Sequence, residues 1–142
     1  MITVEHIHPM LVHFPIALLM VGFLAEVSTF FVKDELWLSK ASLYLLILGS
    51  LTSIVAYLSG DFFTKELSGA IGEVRENHEF FAGLSMWTAL ATTALKVLLI
   101  QLKKENTSLK WVGFSLYLLS VVFIGITGYL GGILVYNYMI PR

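Results

Sequence analysis

Four long apolar runs, at residues 9–32, 37–60, 80–102 and 111–136, alternate with short polar stretches along the chain. Each run exceeds about twenty residues, the length needed to cross a hydrocarbon core of roughly 30 Å. The runs are continuous and lack the alternation of a half-buried strand, so they read as helices. The first and last pairs are joined by short loops, and a longer central loop carries Gly69 and Gly72. This pattern predicts an all-α integral membrane protein, an antiparallel up-down-up-down four-helix transmembrane bundle forming one domain over residues 1–142.

Composition agrees. Of the 142 residues, 57% are hydrophobic and 13% charged, against about 25% charged in an ordinary soluble domain; mean hydropathy is +0.81. A formal net charge of −1 and the lack of a Lys/Arg cluster argue against a nucleic-acid partner. The chain has no cysteine, which removes disulfides, iron–sulfur ligation, c-type haem attachment and thiolate nucleophiles. Any metal would need nitrogen, oxygen or thioether ligands. The N-terminus opens with Glu5 and histidines instead of a basic segment, so the first apolar run is expected to be retained as a helix.

Charge sets a direction. Lys33, Lys40, Lys96, Lys103, Lys104 and Lys110 fall at one end of the expected bundle, and Lys65, Arg75 and Arg142 at the other. Glu5, Asp61, Glu66, Glu73, Glu76 and Glu79 belong to the second end. The positive-inside rule then puts both termini and the central loop outside, in a multi-pass membrane protein. Glu26 and Lys96 lie near the inner boundary, where long side chains snorkel. They are candidates for an ion pair across the bundle or, less favoured, the inner end of a proton route.

A weak repeat runs through the chain. Ser-Leu-Tyr-Leu-Leu occurs at 42–46 and 115–119, Tyr-Leu-Ser-Gly at 57–60 is echoed by Tyr-Leu-Gly-Gly at 129–132, and His-x-x-x-Ala recurs at His13 and His78. Duplication of a helical hairpin would relate the halves by an axis along the membrane normal. His13 and His78 would be counterparts on diagonal helices.

All four histidines, His6, His8, His13 and His78, fall at the outer end. A b-type haem takes one imidazole from each side of a flat ring, and diagonal helices of a bundle supply that separation. The axial ligands expected on this reading are His13 and His78, with His8 beside them as a supporting group or substitute ligand and Asp61 as partner to a ligand imidazole or water. Gly125, Gly128 and Gly132 share one face of the last helix and would admit a porphyrin, with Gly128 and Gly132 closest to it. The competing explanation of those glycines is close helix packing, since Gly128 and Gly132 form a GxxxG pair. Pro15 lacks the N–H that would bond the Leu11 carbonyl and should bend the first helix beside His13, whereas Pro9 suits a first turn. A small-ion site for zinc, copper or iron built from His6, His8, His13, His78 and Asp61 is the chemical alternative. A cofactor-free structural or assembly subunit is the third reading.

The stretches His8–Leu19 (HPMLVHFPIALL), Ser59–Phe63 (SGDFF), Asn77–Ala82 (NHEFFA) and Gly131–Tyr136 (GGILVY) together resemble a bacterial family of small membrane proteins of unknown function that open with His-Pro-x-x-Val-His-Phe-Pro. The resemblance covers nearly the whole chain. It implies a cytochrome-like, electron-transfer setting, since some relatives carry fused Rieske-type domains, and it implies functional roles for His8, His13, Asp61 and His78. Having no Rieske domain itself, the chain would need a redox partner protein or a quinol. The expected function is electron transfer near the outer face through haem b, as a protein or subunit more than a stand-alone enzyme; a homo-oligomer is compatible with this.

Overall fold

A computed structural model describes residues 7–32, 35–63, 68–105 and 107–139. His6, Glu5, Lys33, Lys65, Glu66 and Arg142 lie outside the described residues. The helices are α1 (Ile7–Leu11), α2 (His13–Ser28), α3 (Leu36–Phe63), α4 (Ala70–Gln101) and α5 (Leu109–Leu134), and a π-helical turn, Val135–Met139, ends the described chain. Four spans are long and apolar enough to cross a membrane: Ile7–Ser28, Leu36–Phe62, Ala70–Gln101 and Leu109–Asn137. Packing runs α2 on α3, α3 on α4, α4 on α5 and α5 back on α2, so α2 and α4 are diagonal, as are α3 and α5.

Helix ends depart from hydropathy where polar chemistry intervenes. The first span stops at Ser28 although Phe30, Phe31 and Val32 are apolar. Ser28 Oγ donates to Leu24 O, Thr29 Oγ1 donates to Glu26 O, and the next amides close turns onto Val27 and Ser28. Hydroxyls that bond nearby carbonyls compete with helix propagation in this way. In the other direction, α4 starts ten residues before the expected Phe80. Gly69 precedes it at φ 72°, a left-handed conformation open to glycine, and Glu73 in the first turn favours the positive end of the helix dipole. Gly72 is thus a buried helical residue instead of a loop residue, and His78 lies two turns inside its helix. The break between α1 and α2 falls at Val12, within one turn of Pro15, where the Leu11 carbonyl has lost its amide partner.

Large apolar side chains face outward around the bundle, among them Phe14, Leu24, Trp87 and Tyr129. The core holds Leu19, Leu46, Ala89, Tyr117 and Ile124 together with buried Ser42, Ser50, Ser53, Ser59, Ser85, Thr92, Ser120 and Thr127. Small and hydroxylated interiors let membrane helices approach closely and bond across their seams. Ser50 and Thr93 hydroxyls pair at 2.9 Å between α3 and α4, and Ser120 Oγ donates to Thr88 Oγ1 at 2.9 Å between α5 and α4.

A selection of inward-facing positions recurs at matching spacing in the two halves. On the first helical span the core-facing residues are His8, Pro15, Leu19, Gly22 and Glu26; on α4, seventy positions later, they are His78, Ser85, Ala89, Thr92 and Lys96. On α3 they are Ser42, Leu46, Gly49, Ser53, Ala56 and Gly60; on α5, seventy-one positions later, Gly113, Tyr117, Ser120, Ile124, Thr127 and Gly131. This spacing sets His78 against His8. The Ser-Leu-Tyr-Leu-Leu and His-x-x-x-Ala matches lie in other registers. Helical periodicity explains the choice: His13 is five residues from His8, about 140° around the helix at 100° per residue, so both cannot face the axis.

Candidate functional site

His8 and His78 meet at the end of the bundle that holds the start of the first span. Their ring centroids are 6.1 Å apart and the ring planes nearly perpendicular, at 87°. Each ring is half-buried in the angle between its own helix and that helix's hairpin partner. His78 Nδ1 donates to the Thr127 carbonyl at 2.9 Å; a carbonyl can only accept, so the proton is on Nδ1. His8 Nδ1 lies 2.8 Å from Ser59 Oγ, whose own proton goes to the Ala56 carbonyl at 2.7 Å. The imidazole is therefore the donor in that bond too. His8 is thus held by a side-chain hydroxyl and His78 by a backbone carbonyl, in both cases through Nδ1. In the neutral state each has its lone pair on Nε2, the arrangement of a ligand histidine whose other nitrogen is fixed by an outer partner.

Two glycines make this possible. A methyl on Gly60 would stand 3.3 Å from His8 Cε1, and one on Gly131 would stand 3.1 Å from His78 Cε1 and 3.4 Å from its Nδ1. The glycines expected to face a cofactor do something else: Gly128 packs against Ile16, Gly125 against Met20, and a methyl on Gly132 would meet nothing within 4 Å. Gly128 thus belongs to helix packing on the α2–α5 seam, opposite the α3–α4 seam where Tyr57 covers Gly83.

The expected pairing of His13 with His78 is not what the structure brings together. His13 is exposed, with Nδ1 donating to the Pro9 carbonyl at 2.6 Å. An imidazole proton is held by a carbonyl near the helix break, though by Pro9 O and on the outward face. Asp61 is exposed near the end of α3, in electrostatic range of Tyr57 together with Glu79. Among the described residues, no group of three or more metal-ligating side chains converges, so His8, His13, His78 and Asp61 do not form the small-ion cluster. The residues that sequence reasoning missed are Ser59, Thr127 and Gly131, while Gly60 was expected to give a cofactor room. Ser59 and Gly60 sit in Ser-Gly-Asp-Phe-Phe and Gly131 opens Gly-Gly-Ile-Leu-Val-Tyr, so two quoted motifs did flank the site.

At the opposite end the same two spans meet again. Lys96 Nζ and Glu26 Oε1 form an ion pair, with side chains 17% and 15% exposed, and Ser42 Oγ donates to Glu26 Oε2 at 2.8 Å. Eighteen residues separate each member from its histidine, about 27 Å at 1.5 Å per residue. The two axial pairs thus stand nearly one hydrocarbon thickness apart.

Searches of curated proteins and of solved structures return no match. The helices, their lipid-facing apolar surface and a family pattern that matches residues 5–141 lead to one assignment: the chain belongs to the predicted membrane protein family DUF2231.

Proposed function

We propose that the protein is a b-type haem-binding electron-transfer protein whose axial ligands are His8 and His78. The carrying observation is the pair of imidazoles at 6.1 Å, each anchored through Nδ1. Two imidazoles this close, each with its Nδ1 proton engaged by the protein, would supply nitrogen donors to one bound haem. Bound haem supplies a one-electron iron couple. The protein's part is to hold both Nε2 atoms toward the metal, with Ser59 and Thr127 fixing ring rotation and Gly60 and Gly131 letting the rings lie against α3 and α5. His13 has no ligand role in this reading.

The lysine-rich end, with Lys40, Lys103, Lys104 and Lys110 among the described residues, faces the cytoplasm by the positive-inside rule. The histidine end then faces outward in a bacterial inner membrane. A half-buried site near that surface suits exchange of electrons between a membrane quinol and an external redox protein. A second reading rests on the same two neighbouring imidazoles, which would suit a two-coordinate soft ion such as copper(I) without a macrocycle.

The test is an absorption spectrum of the purified full chain, oxidised and reduced, with elemental analysis. A Soret band with sharp reduced α and β bands is expected in the wild type and in His13→Ala, and is expected to vanish in His8→Ala and His78→Ala. Stoichiometric metal without a Soret band would replace haem by a small ion at the same pair. Wild-type haem occupancy in His8→Ala and His78→Ala would remove the ligand assignment.

A further inference from the structure

Tyr117 on α5 is fully buried, and its hydroxyl has no hydrogen-bond partner among the described residues. An unsatisfied buried hydroxyl costs roughly 1–3 kcal/mol, and an orphaned group in a native interior calls for an unseen partner such as an ordered water. The Tyr117 ring packs against Phe23 within the apolar core, and charged groups lie nearby. The phenol lies in the notch left by Gly22, where a methyl would come within contact distance of the hydroxyl oxygen and of Leu45 Cβ. One turn further along α2 is Glu26, whose carboxylate is in electrostatic range of the phenol. Lys96 Nζ lies 5.8 Å from the Tyr117 ring centroid, and Ser42 completes the set from α3 through its bond to Glu26. All four helices thus contribute: Glu26, Ser42, Lys96 and Tyr117 are the titratable and hydrogen-bonding groups of the node.

Small residues lie one turn from the phenol, level with the ion pair. Ser42 on α3 and Gly113 on α5 are both buried, and a methyl on Gly113 would be 3.8 Å from its nearest neighbours, Leu95 and Lys96. A buried water needs such room and two to four polar partners. We infer that the node holds an internal water that accepts from the Tyr117 hydroxyl and donates to the Glu26 carboxylate, forming a hydrated proton-binding site reached from the lysine-rich end. Glu26 and Lys96 retain partial exposure and lie near the lysine-rich end of the bundle, the side from which the site is reached in this proposal. Proton exchange on Glu26 then passes through the water without either charged side chain leaving its partner. This site is independent of any cofactor at the histidines.

The experiment is infrared spectroscopy of the full chain in lipid, wild type against Tyr117→Phe and Glu26→Gln, with water exchanged for H2¹⁸O. A sharp ¹⁸O-sensitive O–H stretch is expected in the wild type, absent from Tyr117→Phe and shifted in Glu26→Gln. In pH-difference spectra, a carboxyl band absent from Glu26→Gln is expected to move in Tyr117→Phe. A wild type without the ¹⁸O-sensitive stretch overturns the proposal. So does the same stretch unchanged in Tyr117→Phe, or a Glu26 band that ignores the loss of the phenol.

Discussion

Gly131→Ala places a methyl 3.1 Å from His78 Cε1 and 3.4 Å from Nδ1. Ordinary carbon contacts begin near 3.5 Å, so the ring must retreat by about 0.3–0.4 Å. The Thr127 carbonyl is the ring's anchor at 2.9 Å, and a retreat of that size stretches the bond to the edge of the acceptable range. The folding cost falls at the lower end of overpacking, about 1 kcal/mol. Ligand orientation suffers more, because loosening an outer partner of a metal-bound histidine typically costs 10–100-fold in affinity. A weakened but unbroken bond predicts the lower part of that range. Gly132→Ala supplies the control, since its methyl meets nothing within 4 Å and should shift stability by no more than about 0.5 kcal/mol. The assay is haem titration of each purified variant followed by its Soret band. ¹⁵N NMR of the His78 imidazole provides a second readout, independent of any cofactor. Equal affinities for the two variants, or a stronger effect of Gly132→Ala, would refute the assignment of Gly131 as the backing of His78.

Other perturbations test the rest of the bundle. Gly60→Ala, with its methyl 3.3 Å from His8 Cε1, should weaken ligand binding less than Gly131→Ala in the same titration. Lys96→Met strands a mostly buried carboxylate and should destabilise by about 2–4 kcal/mol. The exchanged pair Glu26→Lys with Lys96→Glu should recover most of that loss in denaturant unfolding in mixed micelles. Gly22→Ala should cost about 2–3 kcal/mol by overpacking against Tyr117 and Leu45. A double-mutant cycle with Tyr117→Phe should show coupling of about 1 kcal/mol or more, and strict additivity would contradict the notch.

Hydrophobic patterning by itself determined the number of spanning helices, their antiparallel order and the gathering of histidines at one end, because burying backbone in lipid leaves long apolar helices as the solution. It also brought Glu26 and Lys96 to a common depth, and tertiary packing joined them. Sequence could not tell which histidine faces the axis. His8 and His13 are both polar residues in an apolar run, and choosing between them requires the rotational phase of the first span against α3 and α4. The same limit hid the register in which the inward-facing positions recur. Of its buried counterparts, only His8 with His78 and Gly60 with Gly131 are identical; Leu46 faces Tyr117's equivalent place, and Glu26 that of Lys96. Packing depends on which positions turn inward, not on residue identity, so letter matches such as Ser-Leu-Tyr-Leu-Leu fell in other registers. The partners that fix the two imidazoles, Ser59 and the Thr127 carbonyl, lie 51 and 49 residues from their rings. Only the close approach of the helices, permitted by Gly60 and Gly131, decides that they meet.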